Sequence, residues 1–484
     1  MRKKKENNFI RNKKKMIFFF VFLISLIFFS IYLLFSSCRI DNFKNINDLA
    51  VLDNKENFSL FPPYYLKDDN INSFSKLSFD SEGIILPSYK KYNPVTVAQY
   101  AASLYRYYLK NPNFLIKREF LKQADWLYNN AVVKGNDLAI WEYDFPVKDQ
   151  GAEPPWISAM AQGEIISVLI EAYTLTGNRE YLELAHKALG PFKFDIEKGG
   201  VKSYWPDGSI FYEEYATEKK YKVLNGFIFA LAGVYDLYRF EKNPIAKKIF
   251  DEGVESLKKK LENYDALFIS YYSLSKKPTK CESYHKIHIK QLSWLYYITG
   301  DRFFLEYAKL FNAYCPQQKK YSIYTFLPKD VNYKKEFKLK NGDFFKDYWS
   351  SDNQFPVKIK IFFDKKIKLS GLNMISLSEK DSPQDYDIFY KNFLGIKLKI
   401  DRSKSIIKKN DFEYLKSLKN YTTQIIFSKS VYIKEIEIVI YSSKSNENLV
   451  MKEIVPLFLE DDYFYSYYNN LFDQFSFLDY KVKQ

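Results

Sequence analysis

The sequence predicts a multidomain α + β protein: an N-terminal transmembrane helix, then an incomplete (α/α) toroid, then a β-sandwich of jelly-roll type. Three observations carry this expectation. Met16–Phe35 is a run of twenty residues without a charge, long enough to span a bilayer. From Pro94 to about Tyr314 apolar residues recur three and four apart, and beyond Lys320 the period changes to two. The 484 residues, 47% hydrophobic and 27% charged, are enough for two or three ordinary cores and exclude a disordered chain.

Residues 1–15 hold eight Lys and Arg against Glu6 alone, and so account for much of the net charge of +15. A basic flank before an apolar span predicts a single-pass signal anchor, with the N-terminus cytoplasmic and everything past Cys38 outside the cytoplasm. The alternative is a lipoprotein anchored at Cys38, since Phe35-Ser36-Ser37-Cys38 has some likeness to a lipoprotein cleavage site. The expected segments are a basic tail over 1–15, the anchor over 16–37, a polar stalk over 38–86, a helical domain over 87–318 and a β domain over 319–484.

Within the helical part, Leu175-Thr176-Gly177-Asn178-Arg179 is echoed by Ile298-Thr299-Gly300-Asp301-Arg302. Each copy places a glycine where a helix ends and an Asn or Asp where the next begins, which predicts helical hairpins with tight turns. Repeated hairpins fit the toroid, with a helical solenoid as the alternative. In the last third, Val357–Phe363, Ile396–Ile400, Thr423–Phe427 and Ile433–Ile440 alternate as strands spaced for a sandwich.

Several classes of function are excluded. Cys38, Cys281 and Cys315 are too few and too scattered for a disulfide scaffold or a zinc knuckle. No nucleic-acid-binding pattern is present, so no nucleic acid partner is expected. Gly163 and Gly199-Gly200 lack phosphate-loop spacing, and no cofactor is expected. His285 and His288 stand at i, i+3, but no third metal ligand accompanies them. The 43 Phe, 42 Tyr and 6 Trp suit a carbohydrate cleft, although a Lys- and Ile-rich composition accounts for part of that density.

Four blocks carry a more specific signal: Tyr92–Tyr100; Trp156–Gly163; Gly200-Val201-Lys202 with Tyr212-Glu213-Glu214-Tyr215 and Val223–Phe227; and Tyr284–Leu292. In order and spacing they resemble the C-terminal catalytic domain of the D-glucuronyl C5-epimerases, which convert glucuronate to iduronate in heparan-type chains. The resemblance covers roughly residues 87–315. Two departures stand out. The family's large β domain precedes its helical domain, whereas here the β region follows. Where the family has Tyr-Asp-Leu-Arg, this chain has Tyr272-Ser273-Leu274-Ser275.

The resemblance implies that Glu214, Tyr215, Tyr272 and Tyr284 hold catalytic positions and that Asn225 contacts the saccharide. It also implies an acidic polysaccharide substrate such as heparosan, and a homodimer among the assemblies open to the chain. His285 and His288 beside Tyr284 are further candidate substrate contacts. Gln162 is a candidate too, with a hydrogen-bonding core role equally open. Inverting C5 of a uronate needs a base on one face and an acid on the other. A free phenol has a pKa of about 10, so a tyrosine base must be a stabilised phenolate or be coupled to a carboxylate or cation.

The expected activity is therefore C5-epimerisation of a uronate polymer by two-face proton transfer. The alternatives are a polysaccharide lyase, a non-catalytic glycan-binding surface protein, and a glycoside hydrolase using Glu213 or Glu214 with Asp144. None of the four blocks lies beyond residue 320, so the β region is expected to be dispensable for the chemistry.

Overall fold

A computed structural model describes residues 77–87, 90–266, 269–274, 279–280, 282–314, 321–326, 335–336, 348–392, 394–400, 406–407 and 421–457. All of these lie in one compact unit, Lys55–Gln484. A short antiparallel pair, β1 (Ser78–Phe79) and β2 (Ile85–Leu86), leads into helix α1 (Pro94–Lys110). The Asn93 side chain caps α1 by accepting from the Thr96 N–H, and Pro94 fills a first-turn position where its missing N–H costs nothing. Helix α2 (Phe114–Asn129) returns antiparallel to it.

The same unit then recurs. Hairpin β3 (Val132–Lys134) and β4 (Leu138–Ile140) precedes α3 (Ala159–Thr176) and α4 (Arg179–Lys187). Hairpin β5 (Lys202–Tyr204) and β6 (Ile210–Tyr212) precedes α5 (Leu224–Glu241) and α6 (Pro244–Lys260). Hairpin β7 (Tyr271–Ser273) and β8 (Thr279–Lys280) precedes α7 (Glu282–Thr299) and α8 (Arg302–Ala313). The echoed segments join the helices of the second and fourth pairs. Gly177 and Gly300 adopt φ of +72° and +69°, and the Asn178 and Asp301 side chains accept from the first-turn N–H groups of α4 and α8. The first helices of successive pairs pack together, α1 on α3, α3 on α5 and α5 on α7, while α2, α4, α6 and α8 each pack on their own partner.

The tightest of these contacts is backbone on backbone. A Cβ at Gly163 would lie 2.6 Å from both Cα and O of Ala230, and one at Gly233 would overlap the carbonyl of Gly163. Only hydrogen fits at either position, so α3 and α5 approach more closely than side chains would allow.

The remaining strands form one antiparallel sheet of nine: β9 (Tyr321–Phe326), β10 (Lys335–Glu336), β11 (Trp349–Ser350), β12 (Val357–Ser376), β13 (Pro383–Lys391), β14 (Lys397–Lys399), β15 (Ile406–Ile407), β16 (Thr422–Ser443) and β17 (Val450–Leu457). Its order is β10-β9-β12-β16-β13-β14, with β15 on β16, and with β17 on β11 and β12. Isoleucines of β12 and β16, including Ile359, Ile361, Ile436 and Ile438, dominate its core.

This corrects the expected fold class. The described residues form a mixed α + β structure in which no closed barrel or sandwich occurs. The expected strands Thr423–Phe427 and Ile433–Ile440 are two halves of the single strand β16. Register shifts between Phe362 and Ile367 and between Leu369 and Gly371 break the alternation at exposed Asp364-Lys365-Lys366 without ending the ladder.

The membrane expectation is corrected as well. The proposed span Met16–Phe35, the stalk over 38–76 and the lipidation alternative at Cys38 lie outside the described residues, and among the described residues no helix is long and apolar enough to cross a membrane. The most apolar helices, α3 and α5, are buried by neighbouring helices and carry Glu164, Glu171, Asp236 and Arg239. The single-pass topology, the membrane as a partner and the extracytoplasmic placement are withdrawn.

The α3–α5 contact makes a clear prediction. Gly233→Ala should lower the unfolding free energy by about 3 kcal/mol, because neither backbone can yield to a methyl group without separating the helices. Urea unfolding followed by circular dichroism measures it, and a change under about 0.5 kcal/mol, the size of an ordinary surface substitution, would contradict the packing.

Candidate functional site

The connections between helical pairs build the site. After β6 the chain runs extended through Glu213, whose N–H donates to the Val201 carbonyl and whose carbonyl accepts from the Ala159 N–H, each at 2.9 Å. Glu213 thereby ties hairpin β5–β6 to the start of α3. Its fully buried carboxylate accepts from Ser203 Oγ at 2.7 Å, Lys222 Nζ at 2.8 Å and the Lys222 backbone N–H at 3.0 Å. Lys222 itself takes φ of +53° and lies over the rings of Phe211 and Trp205, with Tyr264 Oη donating to its carbonyl at 2.7 Å. This ion pair was not anticipated. Its signal is Lys222, one residue before the Val223–Phe227 block.

Successive residues of an extended chain project to opposite sides. With Glu213 turned inward, Glu214 faces a cleft of about 540 Å³ that is also lined by Tyr215, Asn225, Tyr284, Gln99 and Lys91. Tyr143 and Trp156 stack at 3.9 Å and 14°, and Trp156 lies 5.4 Å from the Tyr215 ring, so an aromatic wall flanks the carboxylate. Trp156 Nε1 donates to the Phe145 carbonyl at 2.7 Å, which fixes the indole in that wall. Lys91 is the cation among the described lining residues, and it pairs with exposed Asp144 at 2.9 Å.

The Glu214 carboxylate receives the Tyr272 hydroxyl on Oε1 at 3.2 Å and is hydrogen-bonded to Tyr215 as well. Gly226, in the first turn of α5, leaves no room for a side chain because the carboxylate packs against its Cα. Burial pushes Glu214 up to about 7, the hydrogen bonds from Tyr215 and Tyr272 oppose that rise, and the neighbouring Glu213 adds to it. The phenols of Tyr215 and Tyr272 are also pushed up, by burial first and by the Glu214 charge second. A carboxylate that titrates near neutrality between two reluctant phenols makes Glu214 the natural proton acceptor of the group.

The structure thus brings together Glu214, Tyr215, Tyr272, Tyr284 and Asn225. Tyr272 stands one layer behind the cleft lining, its ring 4.5 Å from that of Tyr284. Asn225 is buried at the start of α5, lines the cleft, and has no partner for Oδ1 among the described residues. Behind Glu214 lies Glu164, a second buried carboxyl, which accepts from Gln99 Nε2 at 2.9 Å. Burial first and the Glu214 charge in addition raise it well above the ordinary carboxylate range.

Three predicted contacts lie elsewhere. Gln162 is fully buried, donating from Nε2 to the carbonyls of Ala139 and Ala188 and accepting from the Trp141 N–H at 3.3 Å. It is a core cross-link between α3 and the flanking segments. His285 and His288 are buried away from the cleft lining. The Phe311 carbonyl, 2.9 Å from His285 Nε2, can only accept, so that nitrogen carries the proton and Nδ1 accepts from the Ser270 N–H at 2.9 Å. Ser270 Oγ bridges to His288 Nδ1 at 2.6 Å. Burial lowers His285 to about 4 and holds His288 well below the ordinary imidazole range, so both imidazoles are neutral and brace β7 against α7. Glu213 and Asp144, the alternative hydrolase carboxylates, are occupied by Lys222 and Lys91.

Residues 134–313 match the family model described as D-glucuronyl C5-epimerase C-terminus. The chain is 34% identical over 206 residues to an uncharacterized protein of Methanocaldococcus jannaschii, a match covering 42% of this chain and 66% of that one. It is 36% identical over 206 residues to the D-glucuronyl C5-epimerase of Caenorhabditis elegans, covering 38% of this chain and 32% of the relative. The chain therefore spans less than two thirds of each. Among solved structures, the GH76 α-mannanase BT2949 of Bacteroides thetaiotaomicron aligns over 51% of this chain and 66% of its own at 12% identity with a TM-score of 0.36. A family 32 carbohydrate-binding module of Clostridium perfringens NanJ aligns over 29% of this chain and 93% of its own at 13% identity with a TM-score of 0.20. Neither score supports an inference about fold. The likeness to the glucuronyl C5-epimerase C-terminal domain is shown by the family match, which contains three of the four blocks; Tyr92–Tyr100 lies before it.

Two predictions follow from the geometry. Glu213→Gln leaves the Lys222 ammonium buried without its counter-ion and should cost about 3 kcal/mol of stability, measurable by chemical denaturation. Glu214 has its folded pKa, about 7, above the ordinary 4.5, so its contribution to stability is complete below pH 4.5 and is lost as the pH rises through 7. Glu214→Gln should therefore lose less stability than the parent between pH 4.5 and 8. Parallel pH profiles for the two proteins would contradict the raised pKa.

Proposed function

We propose that the protein epimerises D-glucuronate to L-iduronate residues at C5 within a heparosan-like polysaccharide. The homology to glucuronyl C5-epimerases supports an epimerase-type, carbohydrate-modifying activity in general. The observation that favours the specific reaction is the Glu214 carboxylate, buried at a cleft, titrating at about 7, and hydrogen-bonded to Tyr215 and Tyr272.

In this reading Tyr215 removes the C5 proton as its own hydroxyl proton passes to Glu214, so Tyr215 itself need not ionise beforehand. The electron pair left at C5 delocalises into the substrate carboxylate, where Asn225 and Lys91 are the available donors. That role matters because Ser275 stands where the related enzymes have an arginine. Tyr284, on helix α7, protonates C5 from the other face and is left as a phenolate; before the next turnover Glu214 releases its proton to solvent and Tyr284 takes one from solvent, so no net proton is consumed. Tyr272 acts through Glu214: its hydrogen bond favours the charged carboxylate and keeps the pKa from rising further. The aromatic wall of Tyr143 and Trp156 offers an apolar face on which a sugar ring can lie.

Incubation with heparosan in deuterated water, read by NMR, should show deuterium at uronate C5. Tyr215→Phe and Glu214→Gln should each reduce that incorporation on the order of 100-fold or more while the fold persists, since each removes a proton-transfer group and little buried area. The parent rate should rise with pH through about 7 as Glu214 ionises. Wild-type exchange in both variants would sink the mechanism. Unsaturated ends absorbing in the ultraviolet, with chain shortening, would show elimination instead.

A further inference from the structure

The sheet and the helical layer are joined by a chain of buried polar groups. In β12 every residue from Leu369 to Ser376 is buried, and Asn373 within that run is fully so. Its Oδ1 accepts from Gln424 Nε2, across the β12–β16 ladder, at 2.8 Å. The amide nitrogen of Asn373 thus faces the helical layer as a donor, and the Asn373 side chain is hydrogen-bonded to the Tyr314 hydroxyl at the end of α8. That hydroxyl in turn donates to Asp265 Oδ2 at 3.3 Å. Gln424 donates, Asn373 and Tyr314 each accept on one side and donate on the other, and Asp265 accepts at the end.

Asp265 stands directly before the segment that carries the site. It pairs through its backbone with Ser270. Ser270 engages His285 and His288, its neighbour strand β7 holds Tyr272, and His285 follows Tyr284 on α7. The Tyr314 ring also stacks near His285, 6.5 Å away and 20° from parallel. Tyr272, behind the cleft lining, and Tyr284, within it, are therefore held by one brace, and the outer end of that brace belongs to the sheet.

We infer that Asn373 is a positioning residue for the Glu214–Tyr272–Tyr284 group, so that the C-terminal sheet takes part in setting the site and is not a dispensable appendage. The catalytic aspect rests on the epimerase reading; the coupling of Asn373 to Glu214 does not. Replacing Asn373 by an apolar residue strands the Gln424 amide and removes the donor from which the Tyr314 hydroxyl oxygen accepts, in a water-excluded contact. The contact relaxes, β7 loses its stop, and the Tyr272 hydrogen bond to Glu214 lengthens. Since that bond favours the charged form of Glu214, its loss raises the Glu214 pKa.

The test uses the full chain, with Asn373→Leu, Tyr314→Phe and the double variant, each well below its melting temperature. Tyr314→Phe keeps the ring packing and removes only the link, and it carries the test if Asn373→Leu does not fold. Carbon-13 glutamate labelling, with the Glu214 signal identified by its loss in Glu214→Gln, reads the titration directly. The expected result is an upward shift of about one unit in the Glu214 midpoint. C5 exchange should show kcat lower on the order of tenfold to a hundredfold with KM nearly unchanged, as for a misplaced catalytic group. The double variant should be no worse than the more affected single variant. An unshifted Glu214 midpoint with parental kcat in folded variants, even with a lowered melting temperature, would overturn the inference and leave the chain as interface adhesion. Absence of C5 exchange in the parent would sink the epimerase reading alone, and the titration would still decide the coupling.

Discussion

The arrangement depends on one buried ion pair. Glu213 and Lys222 meet beneath the cleft with almost no solvent, and such a pair is stable only when the remaining lone pairs and protons are satisfied. Here Ser203, a backbone N–H and two aromatic faces do so. Because Glu213 also bonds through its backbone to both hairpin β5–β6 and the start of α3, it fixes the phase of the extended chain. Glu214 has no freedom to turn inward. The ion pair thus contributes direction: of two adjacent glutamates, one is spent as structure and the other faces the cleft.

That direction sets the electrostatics. A carboxylate pushed under the surface pays for its desolvation in basicity, and Tyr215 and Tyr272 return part of the loss through hydrogen bonds, which leaves Glu214 near neutrality. The same proximity makes each phenol harder to ionise. A carboxylate relay behind a neutral tyrosine therefore suits the site better than a standing phenolate. Glu164, buried and bonded to Gln99, is likewise pushed well above the ordinary carboxylate range, so a second negative charge beside Glu214 is disfavoured.

Much of the helical layer was legible in local sequence because its determinants are local. The Thr-Gly-Asn and Thr-Gly-Asp echoes mark turns whose chemistry lies within five residues, and the three-and-four spacing of apolar residues marks the faces that meet. The sheet was legible only as strands. A break in alternation at Asp364-Lys365-Lys366 is the same on paper whether a strand ends there or bulges and continues. Long-range pairing of β12 with β16 decides between those outcomes, and with it the single sheet over a sandwich. Met16–Phe35 carried a hydropathy signal with no counterpart among the described helices, whose apolar surface is consumed by other helices.

For the site, the sequence by itself determined which side chains could do acid–base work, the Glu-Glu-Tyr run and the Tyr-His turn, and which could contact the sugar, Asn225, all within blocks whose order implies a family. Tertiary structure decided the division of labour among them. His285 and His288 share helix α7 with Tyr284, yet Ser270 and the Phe311 carbonyl claim both ring nitrogens of His285, and Ser270 claims Nδ1 of His288, which makes them braces. Gln162 is claimed by two carbonyls and an N–H. Glu213 and Glu214 are identical in composition and adjacent in the chain, and only the presence of Lys222 against one and Tyr272 against the other separates an anchor from a proton acceptor. A residue type sets which charges and hydrogen bonds are available. Its role follows from which partners the fold brings within reach and how much water it leaves there.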